Sequence, residues 1–161
     1  MSEALSPQRE AIKLAQLWRA VHGLSFPVRA GLLAQEWSKQ VAPQEPIGEV
    51  LSQDLEGFEG GLFWLPNREV WALLYRPHEG LPGRSNFTIA HEFGHYVLHR
   101  KLQRTFRCSQ NETLGASGID MERQADQFAS FLLMPIDDFR VQVQSLRTTL
   151  DLIGISKKDA N

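Results

Sequence analysis

Three of the chain's five histidines, His91, His95 and His99, fall within nine residues, and the first two bracket a glutamate in the run His91-Glu92-Phe93-Gly94-His95. On a helix, positions 91 and 95 stand one turn apart on one face, so both imidazoles can reach one ion. Glu92 falls on the flank where an attacking water would sit. H-E-x-x-H on a helix is the pattern of zinc-dependent peptide hydrolysis, two ligands and a general base, and a metallopeptidase is the leading expectation. Solvated histidines on an amphipathic helix are the competing reading for so short a motif. The clustering of three histidines argues against it.

Catalytic zinc takes three protein ligands and keeps one position open, so one ligand remains to be found. On a continuous helix His99 would stand about 12 Å along and roughly 80° around from His91. No glycine lies between His95 and His99 to break the helix, so His99 is expected to pack behind the ligands. Cys108 is chemically capable, but in Phe106-Arg107-Cys108 it reads as a small apolar strand residue. His78 falls in a loop and reads as a surface histidine. Glu122 is the strongest candidate on pattern: it heads an amphipathic helix, Met121 to Met134, on which Glu122, Asp126 and Ala129 share a face. That helix also carries Ala125, Phe128, Phe131, Leu132 and Leu133, and acidic groups on a packed face are costly without a partner. Zinc and its histidines would be that partner, with Glu122 as third ligand and Asp126 accepting a ligand histidine N–H to fix its tautomer. A solvated acidic face is the alternative.

The elements that must position these residues are legible in outline. Ser6-Pro7 is a helix start, and Ala11, Leu14, Ala15 and Trp18 follow helical spacing to Gly23. After Phe26-Pro27, Val28, Leu32, Leu33, Trp37 and Val41 predict a second helix, closed by the proline-bearing stretch 43–46. Residues 58–65 and 69–75 flank Pro66-Asn67 and read as a hairpin. The segment 76–84 reads as loop, after which Ser85 or Asn86 caps a helix over about 87–99. A further metal-site helix is expected over about 119–134, and a C-terminal helix over about 136–150. The fold class is therefore α+β, a mainly helical zincin-like domain with a small antiparallel sheet preceding the motif helix.

With 161 residues and 42% hydrophobic content, the chain is long enough for one domain, residues 1–161, with a real core. A net charge of −2 and no basic block interleaved with aromatics give no support to direct nucleic-acid binding. No apolar run approaches a membrane span and the first eight residues lack a signal-peptide core. The lone Cys108 excludes an intrachain disulfide, which fits a reducing compartment. The cytoplasm is the expected location, with no membrane partner.

Residues 87–99 (Phe-Thr-Ile-Ala-His-Glu-Phe-Gly-His-Tyr-Val-Leu-His), then Glu122-Arg123-Gln124-Ala125-Asp126-Gln127-Phe128-Ala129 and Leu132-Leu133-Met134-Pro135, resemble the ImmA/IrrE family of bacterial and phage metallopeptidases. The likeness runs in order over roughly residues 26–139, and Leu-Leu-Met-Pro is far more specific than H-E-x-x-H alone. It implies a gluzincin-like peptidase whose third ligand is the glutamate heading the E-x-x-A-[ND]-x-F-A block, Glu122 here, with 26 residues between it and His95. It also implies a protein substrate, a helix-turn-helix repressor of the XRE type, whose cleavage relieves repression of stress-response or mobile-element genes. Many relatives carry arginine just before the Phe-Thr of the motif helix, where this chain has Asn86. Relatives often continue into a helical C-terminal region where this chain stops at Asn161, so part of a partner-recognition surface is expected to be missing.

In the expected mechanism, zinc on His91, His95 and Glu122 activates water and Glu92 carries its proton to the leaving amine. Tyr96, His99 and Arg84 are unranked candidates to steady the oxyanion. Manganese or iron can use a similar ligand set. Two other readings stay open: a metal-stabilised, non-catalytic module of a repressor or toxin–antitoxin pair, and a zinc hydrolase of small substrates.

Overall fold

The computed structural model describes residues 5–25, 27–108 and 115–137, together with 140, 141, 143, 144 and 146. Helix α1 (Pro7–His22) begins as the sequence dictates. The Ser6 hydroxyl accepts from the Arg9 amide at 3.4 Å, and Pro7 takes the first turn, where its missing N–H has no partner to lose. Gly23 ends it at φ 69°. Ala11, Leu14, Ala15 and Trp18 form its buried face.

Helix α2 (Ala30–Val41) has no side-chain cap of its own at Arg29. Asn86, distant in sequence, does that work: its Oδ1 accepts from the Ala30 amide at 3.1 Å and its Nδ2 donates to the Val28 carbonyl at 2.8 Å. At the other end, the buried Ser38 hydroxyl accepts from the Ile47 amide at 2.9 Å, tying α2 to the first strand.

Four strands, β1 (Ile47–Ser52), β2 (Gly60–Leu65), β3 (Val70–Tyr75) and β4 (Thr105–Cys108), form one sheet in the order β1-β3-β2-β4. The expected hairpin is β2–β3, antiparallel with Leu62 opposite Leu73. β1 runs parallel to β3 and β4 antiparallel to β2, with Leu62 opposite Phe106. Helix α3 (Pro82–His99) packs against this sheet, α2 and, most extensively, α4 (Ala116–Leu133). Every residue from Thr88 to Val97 is buried, and one apolar cluster reaches from Leu14 and Trp18 of α1 through Phe93 and Tyr96 to Phe128 and Leu132 of α4.

The α+β class holds, with differences of detail. The sheet is mixed rather than antiparallel and does not wholly precede the motif helix, because β4 follows it. β1 escapes the period-2 signal because Gly48 and Glu49 interrupt its apolar pattern and a register shift falls between Ile47 and Glu49. α3 starts at Pro82, inside the stretch read as loop. Proline at the first turn permits this start, so neither Ser85 nor Asn86 is a cap of α3. α4 likewise starts earlier, at Ala116, and α2 spans slightly less than expected. The C-terminal helix expected over about 136–150 lies largely outside the described residues. Among the described residues, no helix is long and apolar enough to cross a membrane.

Candidate metal centre

α3 and α4 approach closely because Gly94 has no side chain. A Cβ there would stand 3.0 Å from Phe128 Cδ1 and 3.2 Å from Ala125 Cα. That approach carries the first turns of α4 over the histidines. His91 Nε2 lies 3.1 Å from His95 Nε2 and 3.1 Å from Glu122 Oε2, and His95 Nε2 lies 3.1 Å from Glu122 Oε1. Two nitrogens about 2.0–2.1 Å from one tetrahedral zinc would stand roughly 3.3–3.4 Å apart, so the trio already has the spacing of one ion's ligands.

The hydrogen bonds behind the trio fix which atoms face inward. His91 Nδ1 is 2.8 Å from Asp126 Oδ1, a carboxylate that can only accept, so Nδ1 carries a proton and, in the neutral imidazole that a metal requires, Nε2 presents a lone pair. His99 Nε2 is 3.0 Å from Gln124 Oε1, and His99 Nδ1 is 3.1 Å from His95 Nδ1. If His99 donates to the glutamine oxygen, its Nδ1 accepts from His95 Nδ1–H, and His95 Nε2 also turns a lone pair inward. With both imidazoles neutral, as metal ligands must be, two nitrogen lone pairs and a carboxylate converge. Such a donor set fits a cation.

Electrostatics agree with that fit. In the protein without an ion, burial tends to lower His91, but interactions with Asp126, Cys108 and Glu122 outweigh it and hold its pKa well above the ordinary value, so a proton supplies the missing charge. Burial drives His95 down to about 4, with the Glu122 hydrogen bond opposing. Burial alone would raise Glu122, yet hydrogen bonds from both histidines bring it to about 2. Glu92 is fully buried, and neither of its carboxylate oxygens has a hydrogen-bond partner. Burial pushes its carboxyl up to about 8, with His91 pulling it down and Glu122 adding to the rise.

Of the residues singled out by sequence, the structure brings together His91, His95, Glu122, Glu92, Asp126 and His99. The candidate oxyanion donors fare differently. The Tyr96 hydroxyl donates to the Glu45 carbonyl at 2.8 Å, and Arg84 reaches toward Glu59 at 3.7 Å. His78, read as a surface histidine, is instead largely buried against Glu59 at 2.7 Å.

Three neighbours went unread in the sequence, and a fourth, Cys108, reads there only as a strand residue. Phe106 of β4 stacks on His95, with centroids 4.7 Å apart and planes at 20°. Gln124 orients His99, and Gly60 of β2 backs onto Glu92, where a Cβ would stand 2.9 Å from Oε1. Cys108 is half-buried rather than buried, and its sulfur lies with His91 and Glu92 donor atoms inside a 4.8 Å cluster. Strand pairing brings Phe106, Gly60 and Cys108 to the site, and pairing partners leave no local signal. Gln124 alone had one, its place between Glu122 and Asp126.

No curated protein matches the chain. A family model does, over residues 50–158, which takes in the hairpin, the H-E-x-x-H helix and the Glu122 helix. Its description is the IrrE N-terminal-like domain, in agreement with the resemblance carried by the motif residues, and the chain belongs to this peptidase M78 family of metallopeptidases.

Proposed function

We propose that the protein is a zinc-dependent endopeptidase in which His91, His95 and Glu122 hold the ion and Glu92 is the general base. The observation that carries this reading is the convergence of two imidazole nitrogens and a carboxylate at 3.1 Å beside a buried, unpartnered carboxylate. A closed structural site needs four ligands and no base, and Glu92 has no structural partner to explain it. A zinc ion bound there supplies a Lewis acid that polarises the scissile carbonyl and acidifies water.

The chain's own residues do the rest. Asp126 and His99 hold the imidazoles in the tautomers that turn Nε2 inward. Glu92 takes the proton of the attacking water at a carboxylate oxygen and delivers it to the leaving amine. Its burial keeps that proton from bulk solvent. Glu122 opens onto a cleft lined also by Thr105, Arg107, Ser117 and Met121, beside β4 at the sheet's edge. An extended peptide suits such an edge. We read residues 1–161 as one metallopeptidase domain, and the single core cluster among the described residues supports that reading.

The substrate we propose is a helix-turn-helix repressor of the XRE type, whose cleavage would link the enzyme to transcription and stress response in the cytoplasm. Family resemblance supports this step. Incubation of the zinc-loaded protein with a purified XRE-type repressor from the same host tests the substrate. Discrete fragments made by the parent and not by Glu92→Gln are expected; an intact repressor, with both proteins carrying zinc, would reject that substrate.

A further inference from the structure

The donors near His91 do not all belong to one cluster. His91, His95 and Glu122 form one set within 4.8 Å, and His91, Glu92 and Cys108 form another. The second set adjoins Gly60, which pairs with Cys108 across the β2–β4 ladder and where a Cβ would stand 2.6 Å from Thr88 Cγ2 and 2.9 Å from Glu92 Oε1. With no side chain at Gly60, the end of β4 and the Glu92 carboxylate share one small space. Both oxygens of that carboxylate are buried without a partner, and a cation held with His91 and Cys108 would satisfy them. The donors are one nitrogen, one oxygen and one sulfur, and thiolate selects soft ions. One ion's ligands stand about 3.3–3.6 Å apart for zinc-like bond lengths, so donors that lie within 4.8 Å of one another close by no more than about 1.5 Å on binding.

We propose that His91, Glu92 and Cys108 form a second metal position, taken by a thiophilic divalent cation and exclusive of the first. Exclusivity follows from His91. Its Nδ1 is engaged by Asp126, so Nε2 is its one donor atom, and both positions need it. An ion in the second position occupies the Glu92 carboxylate and removes His91 from the first, which leaves the peptidase without its base. The thiol proton is released to solvent on ligation. This inhibitory consequence rests on the peptidase reading, whereas the existence of the position does not.

Cadmium(II) is the probe, titrated into the metal-free parent, Cys108→Ser and Glu122→Gln, with calorimetry for stoichiometry and ultraviolet absorption for thiolate-to-cadmium charge transfer. The parent and Glu122→Gln are expected to show the charge-transfer band at one equivalent. Cys108→Ser should lack it and bind cadmium about tenfold more weakly or worse. Binding by the parent with no thiolate band would overturn the proposal and leave the zinc reading standing. A band lost in Glu122→Gln, with far-ultraviolet dichroism unchanged, would overturn it too, making Cys108 a ligand of the first position. No binding by the parent would remove both readings.

Discussion

Glu92 is the residue whose surroundings are hardest to explain without function, since a fully buried carboxyl with no partner destabilises the fold. Its two roles give separable predictions. Glu92→Gln keeps the three proposed ligands and is expected to bind zinc normally while turnover falls by about 10²–10⁴, the usual range for a general base. Steady-state cleavage at equal zinc content checks this. In the metal-free protein the folded-state carboxyl titrates near 8 against an ordinary 4.5. A raised carboxyl contributes its stability fully below the ordinary value and loses it as pH rises through the folded value. The metal-free parent should therefore fall behind Glu92→Gln between about pH 4.5 and pH 8, with a constant gap above. Denaturation midpoints across that range measure the gap, and parallel curves would show that Glu92 is solvated. Asp126 acts one atom further out. Asp126→Ala is expected to weaken zinc by about 10–100-fold by freeing the His91 tautomer, read by competition with a chromophoric chelator.

At the scale of elements, the site depends on how closely α4 lies on α3. Gly94→Ala puts a methyl 3.2 Å from the Ala125 Cα and 3.0 Å from Phe128, so the helices must part. We expect a stability loss of about 1–3 kcal/mol, as for overpacked cores, together with weaker zinc binding because Glu122 moves with α4. Normal zinc affinity in a destabilised Gly94→Ala would show that the ligand geometry does not depend on this approach. The motif helix and the Glu122 helix were legible because their apolar faces repeat every three to four residues and the ligands ride on that repeat. β1 and β4 are set by ladder partners far along the chain, so Phe106 against His95 and Cys108 beside His91 were not legible. Asn86 shows the same limit. Its type signalled a helix cap, and it does bond a helix start, but that of α2, 56 residues earlier. Asn86→Ala is expected to cost about 1 kcal/mol or more in chemical denaturation.

Across the whole molecule, one apolar cluster buries the motif helix between the sheet and the helices, while the donor set at its centre carries charge that only a cation or a proton offsets. Folding and metal binding are therefore linked. An ion at about 100 times its dissociation constant adds roughly 2.7 kcal/mol to the folded state, so chelation should lower the melting temperature and zinc should restore it. The α+β class and the membership of the family were legible from length, patterning and motif residues. The mixed order of the sheet was not, since parallel pairing of β1 with β3 is a property of the assembled chain. The most direct test of the account is N-terminal sequencing of the proteome of a host-cell lysate incubated with the zinc-loaded protein, beside zinc-loaded Glu92→Gln. New N-termini in the parent sample alone are the predicted result; identical profiles at confirmed zinc occupancy would contradict an endopeptidase built on Glu92.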